Sequence, residues 1–167
     1  MTRASRRSAY SVLLGIALAA GAFSTIALAA PNKGADDLVG AWRGRIQFSS
    51  GLFASTRDLE FMYVMNVGGT MTESSNYDTA PPPSPPAYGV WRRVGVRKYE
   101  LRYHFFQSKA DGSNWAPDGY GIISEKLTLS EDGNSFESTI RFDLFDKDGK
   151  AASGSGEGLV KGTRIRF

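Results

Sequence analysis

The sequence predicts an all-β protein: a single antiparallel up-and-down barrel of about eight strands, preceded by a cleaved signal peptide. Three observations carry this expectation. Successive segments alternate apolar and polar residues with period two, as a strand with one buried face does. Gly-marked and Asp-Gly turns separate neighbouring segments. After the N-terminal apolar stretch, no run of ten or more residues reads as a convincing helix. Strands of this length and spacing favour a barrel over a sandwich, and eight of them leave an interior that either fills with side chains or holds one small ligand.

The chain of 167 residues opens with Arg3, Arg6 and Arg7, and Tyr10 to Ala30 is almost wholly apolar or small. Ala27-Leu28-Ala29 fits the small-x-small rule of signal peptidase and places the cut after Ala29. The stretch is just long enough for an uncleaved anchor, but its Ala-x-Ala ending and the polar, Gly-rich sequence after it favour cleavage. Ser5-Arg6-Arg7 resembles a twin-arginine signal, although Ser8-Ala9 stand where that motif prefers a bulky apolar residue. The expected organisation is a signal peptide over 1–29, a lead-in over 30–37 and a barrel domain over 38–167. The protein would act in the periplasm or outside the cell, with no integral membrane span after cleavage.

Removing the leader changes the charge argument. The full chain carries 20 basic and 17 acidic residues. Arg3, Arg6 and Arg7 leave with the leader, so 17 basic residues face 17 acidic ones. The positive balance belongs to the targeting segment, and no nucleic-acid partner follows from it. Cysteine is absent, which excludes a lipoprotein anchor and a disulfide framework.

The first strand is Leu38 to Phe48. Trp42, Gly44, Ile46 and Phe48 share one face; Arg43, Arg45 and Gln47 share the other. Ser49-Ser50-Gly51 interrupts it. In Asp58 to Asn66, Leu59, Phe61, Tyr63 and Met65 alternate with a mixed second face. Gly68-Gly69 turns this strand into the more polar Thr70 to Tyr77. Thr79 to Ala87 holds five prolines, which remove backbone donors and fix φ, so it is a stiff loop. It reads as a connector, with a partner dock or a lid over the barrel mouth as the functional alternatives. Tyr88 to Val94 is the fourth strand. Arg97 to Gln107 is the fifth and most regular, with Tyr99, Leu101, Tyr103 and Phe105 on one face. Lys109 to Gly119 reads as a loop with Trp115 inside it, as a lid anchor or a plug. Tyr120 to Ser130 and Ser135 to Phe145 flank an Asp132-Gly133 turn. Lys147 to Gly149 and Ser153 to Gly156 read as the last connection, and Glu157 to Phe167 as the closing strand.

Gly40-x-Trp42 on the first strand, seven further strands and an Arg on the last resemble the calycin group, which includes lipocalins and fatty-acid-binding proteins. Gly89-Val90-Trp91, Tyr99-Glu100-Leu101, Leu129-Ser130-x-Asp132-Gly133-x-Ser135-Phe136 and the terminal Gly-rich strand look still more like exported bacterial proteins with a barrel similar to allene oxide cyclase. The resemblance implies that Gly40 and Trp42 close the barrel against Arg164 or Arg166, through a cation–π contact. Members of such folds include lipid carriers, cyclases and proteins with no known role, so the resemblance implies the barrel and leaves the activity open.

The aromatic face is the best candidate surface. Phe61, Tyr63, Tyr99, Tyr103 and Phe105 would line the lumen, giving apolar walls with a few hydroxyl handles for a small hydrophobic ligand. Filling of the core by the same rings is the bland alternative. A cyclase or isomerase would use the hydroxyls of Tyr99 or Tyr103 and one interior carboxylate, Glu60 or Glu125. No cofactor or metal is expected. His104, the lone histidine, lies on the outward face of its strand without a second His or Cys. Asp146 to Glu157 imitates a calcium loop but has Lys150 and Ala151 where an oxygen ligand and a Gly are required. Gly154-x-Gly156-x-Gly158 lacks the spacing and the following helix of a phosphate loop. Arg92, Arg93, Arg97 and Lys98 gather at one turn, which reads as a solvated hairpin end or a patch for an acidic partner.

Overall fold

A computed structural model describes residues 36–78, 80 and 83–167. The signal peptide and all but the end of the lead-in lie outside the described residues, as do Pro81 and Pro82. A short 3-10 turn, Asp36–Leu38, leads into eight strands: β1 Gly40–Phe48, β2 Leu59–Met65, β3 Thr70–Ser75, β4 Ala87–Gly95, β5 Lys98–Asp111, β6 Asn114–Leu129, β7 Ser135–Asp146 and β8 Ala151–Arg164. Each pairs antiparallel with the next, and β8 returns to β1, so the sheet is a closed barrel with no free edge. This is the predicted all-β barrel. Among the described residues no helix is long and apolar enough to cross a membrane.

Alternation explains the closure. Trp42, Ile46 and Phe48 on β1, Leu59, Phe61, Tyr63 and Met65 on β2, and Phe136, Ile140, Phe142 and Leu144 on β7 all face the interior and are buried. Their partners across each ladder are buried too, because registers such as Trp42↔Tyr63 and Leu127↔Tyr99 keep like faces together. Edge-to-face contacts link Trp42 to Phe136 (5.4 Å), Tyr63 to Phe136 (6.0 Å) and Tyr63 to Tyr103 (6.3 Å). Removing each large ring from water stabilises the fold by roughly 1.5–3 kcal/mol.

One end of the barrel is sealed. The Arg164 guanidinium lies 4.1 Å from the centre of the Trp42 ring. It donates to the carbonyls of Gly133 (2.9 Å), Val39 (2.7 Å) and Asp37 (2.5 Å). The Trp42 indole donates to the Leu38 carbonyl at 2.9 Å. Gly40 sits at φ +137°, and a Cβ there would come within 2.7 Å of Arg164 Nη1. Of the two candidate arginines, Arg164 therefore covers the indole. Arg166 lies beyond β8 and donates to Asn134 Oδ1.

Two predicted connections are strands instead. Lys109 to Gly119, read as a loop, extends β5 and β6 into a two-stranded ribbon that turns only at Gly112-Ser113. Its side chains are mostly exposed on both faces, so no apolar alternation marks it. Asp118 is the extra residue where the register shifts after Gln107. Ser153 to Gly156 lies within β8, where the register shifts between Phe142 and Leu144. That irregularity presents the Gly154 carbonyl to the amide of Leu52 (2.8 Å) and ties the turn after β1 to the barrel mouth.

Candidate functional site

The end opposite Arg164 stays open. A cavity of about 290 Å³ occupies it, close to the lower end of the roughly 300–1,000 Å³ range of small-molecule pockets. Phe48, Leu59, Phe61, Phe105, Ile123 and Phe142 form its walls. Phe105 can lie flat against the barrel because its neighbour is Gly121, where a Cβ would fall 2.1 Å from the ring. Phe53, on the turn after β1, closes one side by packing on Phe48 (5.7 Å) and Phe142 (5.1 Å). The described part of the proline loop forms the rim through Pro83, Ser84 and Pro85. Ser84 anchors it, its amide donating to the Asp78 carbonyl (3.0 Å) and its hydroxyl to the Phe106 carbonyl (2.9 Å).

The five lumen candidates divide at this point. All five side chains point inward, but only Phe61 and Phe105 line the cavity. Tyr63, Tyr99 and Tyr103 are fully buried in the filled part of the barrel, with Tyr99 edge-on to Trp91 at 5.9 Å.

Two carboxyl groups face the cavity, Glu73 and Asp78, with Ser75 between them in sequence. Glu73 is only 5% exposed, and its Oε1 has no hydrogen-bond partner. Burial, then the charges of Asp78 and Glu125, push its carboxyl well above the ordinary range. Asp78 is partly buried and is also raised by burial, opposed by the Ser75 amide, which donates to Oδ2 at 2.9 Å. Below Glu73 lies a second buried acid. Glu125, 2% exposed, accepts from the Ser138 hydroxyl (2.5 Å) and the Tyr103 hydroxyl (3.2 Å). Burial pushes it up to about 7, and these hydroxyls hold it from rising further. The Tyr63 hydroxyl beside them is buried without a partner of good geometry. Burial, then the charge of Glu125, raises it well above its ordinary value.

Glu60, one of the two carboxylates predicted to face inward, faces outward instead. The sequence allowed it because the second face of β2 is mixed, with Met62 and Val64 exposed beside it. It pairs with Arg43 (2.5 Å) and Arg45 (3.3 Å), and the hydrogen bond from Arg43 lowers its carboxyl. His104 is exposed and stacks on Tyr120. Asp146 Oδ1 is taken by the amides of Asp148 (2.9 Å) and Lys150 (2.8 Å), a local turn. In the basic turn, Arg92 pairs with Glu100 (2.6 Å) and Arg97 with Glu131 (3.2 Å). Trp115 is exposed on the ribbon, paired with Ala110, and so is neither a plug nor a wall of the cavity. A second concavity, about 1000 Å³, runs along the outer wall among solvent-facing residues such as Arg102, Ser124 and Lys126. The unpartnered buried oxygen of Glu73 singles out the inner cavity.

Sequence reasoning missed Glu73, Asp78 and Phe53. A signal for Glu73 existed: the Gly68-Gly69 turn sets Met65↔Met71 and Tyr63↔Glu73, which puts Glu73 on the inner face. Asp78 and Phe53 sit on irregular turns, which carry no period. A closed antiparallel barrel of eight strands is consistent with the calycin resemblance. No family model, no curated protein and no solved structure matches the chain.

Proposed function

We propose that this chain is a calycin-like barrel that takes one small, largely apolar molecule into its open end and holds it without converting it. The cavity carries this reading: aromatic and aliphatic walls, a sealed base, and few polar groups at fixed positions are the usual make-up of a small-molecule site. The calycin likeness is supported by Arg164 lying over Trp42 beside Gly40. Export to the periplasm or the exterior is supported by Ala27-Leu28-Ala29 after the apolar leader, and N-terminal sequencing of exported protein should begin at Ala30. A cyclase or isomerase would have to run on Glu73 and Asp78, since Glu125, Tyr99 and Tyr103 do not line the cavity.

Native mass spectrometry of protein purified without detergent, before and after exposure to an apolar fluorescent probe, tests the binding reading. The expected result is a bound mass, or saturable probe uptake at one site. Ser75→Trp places an indole in the cavity and should abolish uptake. Absence of both bound mass and uptake in the natural sequence would overturn the proposal.

A further inference from the structure

We infer that the molecule held in this cavity carries a cationic nitrogen, a protonated amine or a quaternary ammonium, received by the Glu73 and Asp78 carboxylates among phenylalanine rings. The inference rests on the binding reading above and names its ligand class. The cavity is lined by two carboxyl groups and by no Lys, Arg or His among the described residues. On the outer wall carboxylates have cations: Glu60 has Arg43 and Arg45, Glu100 has Arg92, and Asp143 has Arg141. Glu125, the other deeply buried acid, has both oxygens occupied by hydroxyl donors. Glu73 has neither kind of compensation, although it is 95% removed from solvent, and its orphan oxygen belongs to a side chain that lines the cavity. Burying an ionisable group is costly unless a partner meets it, and here a ligand can supply that partner.

The walls point to the same charge. Phe48, Phe53, Phe61, Phe105 and Phe142 surround the space. Aromatic faces are electron-rich and attract a cation over their rings. An anionic ligand would find no cation to pair with among the described lining residues, and the Asp78 carboxylate would oppose it.

The groups facing Glu73 are Tyr63 on β2, Asp78 after β3, Tyr103 on β5 and Glu125 on β6, and none is a cation. Burial and these acidic neighbours favour the protonated form of Glu73 in the empty cavity. An arriving ammonium group favours the carboxylate instead, so forming the ion pair shifts the Glu73 proton toward solvent.

The test uses three probes of matched size, 2-phenylethylamine, 2-phenylethanol and 3-phenylpropanoate, titrated calorimetrically into the full chain in two buffers of different ionisation enthalpy. The amine should bind about tenfold tighter than the alcohol or better, the carboxylate should bind weakest, and amine binding alone should release protons. Glu73→Gln should collapse the amine-to-alcohol preference towards one. Asp78→Asn should reduce it, and serves as the second variant if Glu73→Gln fails to fold. Equal binding of amine and alcohol without proton release would overturn the cation inference while leaving the binding reading intact. No uptake of any probe, together with no bound mass, would remove both.

Discussion

Glu125 shows what one buried side chain does to the whole stability curve. Its carboxyl moves from an ordinary 4.5 to about 7 on folding. Between those values the folded chain binds more protons than the unfolded chain. Unfolding free energy therefore falls as pH rises through this window, by on the order of 3 kcal/mol once the group is fully ionised. Melts of the natural protein between pH 4.5 and 8 should show declining midpoints, and Glu125→Gln should flatten the decline. A slope unchanged in that variant would assign the titration to another group. Glu73 is shifted in the same direction and will leave a residual slope. At this scale the sequence was legible where geometry is fixed by strand period. Trp42, Tyr63 and Tyr103 could be placed inside from alternation alone. It was not legible for Glu60 and Glu73: a polar residue on a mixed face gives no sign of which way it points until a cross-strand partner settles it.

Among the elements, the ribbon at the end of β5 and β6 behaves differently from the barrel it grows out of. From Lys109 to Ala116 it lacks an apolar face, and the Lys109–Asp118 pair (2.8 Å) is exposed on both partners. Such a pair adds little, and an isolated two-stranded ribbon is marginal in water. Amides of Lys109 to Ala116 should exchange with solvent orders of magnitude faster than those of Leu101 to Tyr103, read by hydrogen-exchange mass spectrometry. Equal protection along the whole strand would show that something covers the ribbon. The same lack of burial hid it from the sequence, since a strand with two wet faces has a loop's composition. The proline loop is the converse case. Its stiffness was evident, but its position at the cavity rim follows from Ser84 bonding to Asp78 and Phe106, contacts between segments that no local pattern announces.

For the molecule as a whole, closure depends on the seam between β1 and β8, where Trp42↔Arg164 and Gly44↔Gly162 face each other across the ladder. Gly40→Ala would force a side chain toward Arg164 Nη1 at a backbone angle that side chains rarely adopt. It should cost about 1–3 kcal/mol and lower the denaturant midpoint of the barrel, because the β1–β8 pairing is what closes the sheet. A change confined to signals near the N-terminus would show instead that the seam is dispensable. The seam was partly readable, as Gly40-x-Trp42 and a late arginine, but choosing Arg164 over Arg166 required the register that ends β8 at Arg164.

That same arginine has a consequence for how the barrel can be attached to anything else. By donating to the Asp37 carbonyl while covering Trp42, Arg164 gathers the start of β1 and the finish of β8 at the sealed base. The cavity opens at the far end, among Phe53, Pro85 and Phe105. A tag, a fused domain or a surface linker joined through either end of the barrel thus grips it by its base. An array of tethered copies would present its mouths outward, unobstructed, whichever end was used.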